Sequence, residues 1–153
     1  MARKSIAIGA LGALAAALAV VAYARQSSDG SAPVAAAPLA GKPFYRVDQG
    51  PAAPCASGRA CQARIALTAL GDYHVNVDYP FKFIAARDAL AGPPIDGPGA
   101  FALGDAKHGT LTVTFHPTQP GTAKLRGTFK LSVCSDATCE IESPVLELAI
   151  PVT

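Results

Sequence analysis

From Phe44 to Thr153 the apolar residues recur at every second position rather than at helical spacing. In Gln62–Leu70, Ala63, Ile65, Leu67 and Ala69 share one face while Arg64 and Thr68 take the other. In Thr110–His116, Leu111, Val113 and Phe115 oppose three threonines and His116. Thr122–Val133 sets Leu125, Phe129, Leu131 and Val133 against Lys124, Arg126, Thr128 and Lys130. Phe81, Phe83 and Ala85 continue the alternation with Lys82 outward, and Val145–Val152 sends Leu146, Leu148 and Ile150 inward. Side chains alternate across a pleated strand, so each run predicts a half-buried antiparallel strand.

The breaks between runs carry turn chemistry: Gly71-Asp72, Ala91-Gly92-Pro93-Pro94, Asp96-Gly97-Pro98-Gly99 and Gln119-Pro120-Gly121. No stretch combines helical period with caps. About seven short strands punctuated in this way predict an all-β fold, an immunoglobulin-like antiparallel β-sandwich over 44–153. The chain has no Trp, so the Cys–Trp–Cys arrangement of antibody domains is absent.

Upstream the pattern changes. Arg3 and Lys4 precede an uncharged, mainly apolar run from Ser5 to Ala24, and Ala22-Tyr23-Ala24 offers small residues where a signal peptidase reads. Residues 1–24 are therefore expected to be a signal peptide. Left uncleaved, an apolar run of about 20 residues would also span a bilayer and anchor the chain. Either way the domain faces a periplasmic or cell-surface compartment. Residues 25–43, rich in Ser, Ala, Pro and Gly without apolar period, predict a disordered linker. The formal net charge is only +2 and the cations are scattered, which argues against a nucleic-acid partner. Phosphate-cradling glycine loops, a nucleophile elbow and framed carboxylate pairs are all missing, so hydrolysis and phosphoryl transfer find no support.

Four cysteines remain: Cys55, Cys61, Cys134 and Cys139. An even count in an exported domain favours disulfides. Three pairings are open; the local one, Cys55 with Cys61 and Cys134 with Cys139, is the expected one. Their spacing is wider than the usual Cys-x2-Cys of zinc sites, and His74, His108 and His116 fall in no metal-binding pattern, so no metal or other cofactor is expected. Cys55 and Cys61 predict a structural staple at a sheet edge. Cys134 ends a long strand, and its alternation places it outward with Lys130 and Ser132, which predicts an accessible sulfur. The Cys134/Cys139 pair admits two readings. One is a structural clip contributing ~2 kcal/mol; the other is a redox pair, since exposed disulfides closing short loops are the exchangeable ones.

Three segments in order carry a resemblance: Gly71-Asp72-Tyr73-His74-Val75-Asn76, Leu111-Thr112-Val113-Thr114-Phe115, and a Cys-x4-Cys hairpin before a final apolar strand. Over roughly residues 60–153 the chain resembles the N-terminal domain of the thiol:disulfide interchange protein DsbD, the disulfide bond corrector family. The resemblance implies an immunoglobulin-like sandwich. It also implies thiol–disulfide exchange through Cys134 and Cys139, with a protein partner that is a thiol oxidoreductase or a membrane electron donor. Tyr73 and His74 match the aromatic stretch beside that family's hairpin and are the expected modulators. The chain departs from the family in placing Glu140-Ile141-Glu142-Ser143 before Pro144. Phe101 is the nearest counterpart to the family's aromatic cap, and Asp136, Glu140 and Glu142 would raise the thiol pKa. The alternative function is a non-enzymatic, protein-binding immunoglobulin-like domain stapled by two local disulfides.

Overall fold

The computed structural model describes residues 38–87 and 92–153. The expected leader over 1–24 and residues 25–37 of the expected linker lie outside them. The described residues form ten strands and no helix. They are β1 (Ala40–Lys42), β2 (Tyr45–Gln49), β3 (Cys61–Ala69), β4 (His74–Val75), β5 (Lys82–Ala85), β6 (Ile95–Leu103), β7 (His108–Phe115), β8 (Gly121–Cys134), β9 (Cys139–Glu142) and β10 (Val145–Val152). All pairing is antiparallel.

One sheet runs β1-β2-β3-β7-β6. The other is built on β8, whose 14 residues are long enough to serve two broken strands on each side. Cys134 pairs with both His74 of β4 and Cys139 of β9, and Thr128 pairs with both Ile84 of β5 and Val145 of β10. β4 and β5 thus lie along one edge of β8, and β9 and β10 along the other. The residues expected to face inward do so: Ile65, Leu67, Leu111, Phe115, Leu125, Phe129, Leu131, Leu146 and Leu148 are each at most 1% exposed. They join in a single core fed by both sheets, which makes the architecture an immunoglobulin-like antiparallel sandwich.

Both sheets solve one packing problem in the same way. Gly109 of β7 and Gly127 of β8 sit at inward positions, and a cross-strand phenylalanine lies over each. An added Cβ at Gly109 would fall 2.1 Å from the ring of Phe101, and one at Gly127 would fall 2.6 Å from that of Phe83. Large rings thus fill what the glycines leave open. Phe81 closes the seam between β5 and β6, stacking on Phe101 with centroids 3.8 Å apart and approaching Phe129 at 6.4 Å. Phe101 is therefore a core ring and not a cap over the cysteine hairpin. The opposite seam is polar. Lys42 pairs with Glu142, and the Gln49 amide donates to Ala149 O at 2.8 Å while accepting from Ala149 N at 3.1 Å.

The strand pattern departs from expectation in four places. β1 takes up Ala40–Lys42, residues expected in the linker, because Val47 and Tyr45 offer it a free edge. Asp96-Gly97-Pro98-Gly99 is not a turn between strands but lies within β6. The chain bulges between Asp96 and Ala100, with Gly97 at φ 66° and Gly99 at φ 87°. Pro98, which lacks an N–H, is tolerated there because β6 is an edge strand. β2 and the two-residue β4 were too short for their alternation to stand out.

Candidate functional site

The disulfides pair as expected, Cys55 with Cys61 and Cys134 with Cys139, at opposite ends of the sandwich. Cys61 opposes Phe115 at one end of β3, whereas Cys134 ends β8 beside His74. Cys55 and Cys61 are 6% and 2% exposed. Their loop ties the last residue to the sheet. Thr153 N donates to Cys55 O, Ser57 N donates to Thr153 O, and Gly58 N donates to Pro117 O. All four sulfurs are committed to disulfides.

Cys134 and Cys139 are direct cross-strand partners with Cα atoms 4.0 Å apart. The turn between them is short because Ser135 N bonds Thr138 O at 2.8 Å, while Ser135 Oγ accepts from Ala137 N and Thr138 N. The sequence places Cys134 on the outward face, and its phase is outward, opposite core Val133. Its accessibility is not what that phase implied: Cys134 is only 7% exposed, and it is Cys139 that is exposed. Crowding explains the difference. Strands flank β8 on both sides at this level, and the neighbouring outward residue Ser132 is 0% exposed, receiving a bond from the Asn76 amide at 3.2 Å.

His74 stands directly across from Cys134, so histidine and both cysteines form one outward row. Tyr73, the other expected modulator, packs its ring on Phe44, centroids 5.4 Å apart, rather than joining this row. Glu140 and Glu142 alternate with Cys139 and leave the strand on its other face, where Glu142 is taken up by Lys42. They are not arrayed around the sulfurs as the sequence suggested. The bond to Glu142 raises the Lys42 pKa.

The turn between β6 and β7 positions His74. Asp105 Oδ1 accepts from Lys107 N at 2.7 Å and His108 N at 2.9 Å and lies 2.8 Å from His108 Nδ1. Lys107 Nζ then donates to Gly71 O at 2.7 Å and to Tyr73 O, and Val75 N donates to Ala106 O. The His108 side chain first, then the Lys107 amide, holds the Asp105 carboxyl below its usual 3.8. A depressed carboxyl contributes stability that is whole above the unfolded pKa and fades as pH falls through the folded one. The turn is therefore expected to loosen only below pH ~4. Following the Asp105 carboxyl and His74 amide by NMR in an acid titration checks this; a midpoint at or above the usual value would remove the turn's role.

The remaining outward rows of the β8 sheet hold what the sequence did not foresee. Toward the strand's start, Ser132 is flanked by Asn76 and Ile141, Lys130 by Lys82, and Thr128 by Ile84 and Val145. Ile84, Ile141 and Val145 are 44%, 65% and 62% exposed. Lys82 and Lys130 could each be read as outward, but only strand register shows them opposed. An open groove of about 640 Å³ lies at the far end, lined by Pro93, Pro94, Pro117 and Pro120, and a second open groove borders Ile84 together with Arg87, Ile95 and Pro98. No metal-holding cluster of His, Cys, Asp or Glu occurs among the described residues.

No family model matches the chain, and no curated protein matches it. Among solved structures the chain is similar to the GAE domain of yeast GGA1, at 13% identity and a TM-score of 0.42, over 73% of this chain and 96% of that one. The sandwich assignment rests on the two sheets themselves.

Proposed function

We propose that this domain is an exported, non-enzymatic protein-binding module whose two disulfides staple the ends of the sandwich. The observation behind this is the outward face of the β8 sheet, where Ile84, Ile141 and Val145 stand exposed on the three strands β5, β9 and β10 that flank β8. Single exposed apolar residues need no explanation, but three on one face of one sheet suit a partner surface. A periplasmic or cell-surface setting fits the disulfides, with the N-terminal segment as leader or anchor.

A second reading is favoured by one specific contrast: Cys55 and Cys61 are both buried, whereas Cys139 is exposed beside the His74–Cys134 row. In this reading, which the DsbD resemblance supplies, a partner thiolate attacks Sγ of Cys139 and forms a mixed disulfide. Cys134 leaves as the thiolate, protonated from the solvent side where His74 stands. A second partner thiol then releases Cys139, so two electrons pass to this domain and the partner is oxidised.

The reduction potential of the Cys134–Cys139 pair, measured by alkylation across a dithiol series, separates the two. A value below about −300 mV is expected for the binding module. A value of about −180 to −270 mV would replace it with exchange. Replacing both cysteines with Ser should lower stability by only ~2 kcal/mol, the loop-closure value for so small a ring.

A further inference from the structure

Lys82 and Lys130 are direct cross-strand partners on the outward face. Like charges placed opposite one another destabilise a sheet. The usual remedy is a nearby carboxylate, and among the described residues neither ammonium has an ion pair. The acidic residue farther along this face, Glu147, is engaged by Lys124 at 3.5 Å. Two unneutralised cations therefore sit between two apolar positions, Ile141 on the hairpin side and the Ile84/Val145 pair on the other.

From this arrangement we infer that the face receives an extended acidic segment of another protein, of the pattern apolar-x-carboxylate-x-apolar. The inference rests on the binding-module reading and specifies its partner. Successive outward rows are spaced by two residues, about 7 Å along the strand. A partner segment in extended conformation repeats its side chains at the same interval. A carboxylate set over the Lys82/Lys130 row thus places the side chains two residues to either side over Ile141 and over Ile84/Val145. The carboxylate supplies the charge that this sheet lacks, and the half-buried Thr128 and exposed Ser143 offer hydroxyls near the anchors.

The test uses the peptide acetyl-Ser-Leu-Thr-Glu-Thr-Leu-Ser-amide and a control with Lys in place of Glu, titrated into the full chain at low salt and followed by amide NMR shifts. The acidic peptide is expected to shift Lys82, Ile84, Thr128, Lys130, Ile141 and Val145, and the control to bind about tenfold more weakly. In the Lys82→Ala/Lys130→Ala variant, which should fold at least as well as the native chain, that discrimination should vanish. Equal binding of both peptides to this face would overturn the acidic chemistry and leave the binding module standing. Failure of both peptides to shift it would overturn the inference, while the reduction potential of Cys134–Cys139 still judges the wider reading. Binding of phosphatidylglycerol vesicles through the two lysines, with no response to the acidic peptide, would overturn it in favour of a membrane surface.

Discussion

Phe129→Ala is expected to lower the unfolding free energy by about 3–5 kcal/mol, the range for emptying a phenylalanine site in a packed core. Phe129 is 0% exposed and pairs with Phe83 across β5. Its backbone N–H reaches Pro144 O at 3.0 Å, just where β9 gives way to β10. The ring also neighbours Phe81, which stacks on Phe101 of the other sheet. Removing it takes out the link through which β8 meets the β5–β6 seam, and few surrounding atoms can move in, because strands hold their backbones on both sides. A domain of this size has a total stability of roughly 5–15 kcal/mol, so the variant should sit near its unfolding threshold. Urea unfolding followed by circular dichroism measures the change. A loss under about 1 kcal/mol would mean that the seam closes without this ring.

Gly127→Ala is expected to be nearly as damaging, about 2–3 kcal/mol, through crowding rather than a void. The new Cβ would lie 2.5 Å from Ile84 O, as well as 2.6 Å from the Phe83 ring. The ring can turn aside, but the carbonyl belongs to the β5–β8 ladder and can retreat only by breaking the pairing. Gly109→Ala supplies the contrast, since the near atoms there all belong to the Phe101 ring. Combining Gly109→Ala with Phe101→Leu should therefore be less harmful than the sum of the two, whereas Gly127→Ala with Phe83→Leu should recover little. Equal recovery at both sites would show that the Ile84 carbonyl is not the obstacle.

Both predictions depend on parts of the fold that differ in how visibly the sequence announces them. Phe129 is legible as a core position because ten residues of unbroken alternation surround it. Gly127 is not, for alternation gives its phase but not the ring above it, which arrives from a strand more than forty positions away. The same divide runs through the candidate site. Pairing of the cysteines follows from proximity along the chain, whereas the placement of His74 across from Cys134 is fixed by the register of β4 on β8. The burial of Cys134 was hidden, since it depends on a short β4 and on Asn76 lying over Ser132. The opposition of Lys82 and Lys130 was hidden too, being a matter of register between segments that the sequence shows only as separate runs. β6 misled most, because Gly-Pro-Gly is turn chemistry wherever it occurs, and only a partner strand converts it into a bulge.

That bulge bears on how the molecule keeps its own company. A continuous unpaired strand edge invites a second copy to add to the sheet and then a third. β6 offers no such edge, since Pro98 lacks a donor and the chain kinks between Asp96 and Ala100. Along β10, the Gln49 amide occupies both hydrogen-bonding groups of Ala149, and Thr153 is taken by the Cys55 loop. Growth by edge-to-edge templating, the route to fibres, is discouraged along these borders at no expense to the core. The broad faces remain open for contact, so this protein can be crowded and still meet others by what its side chains offer.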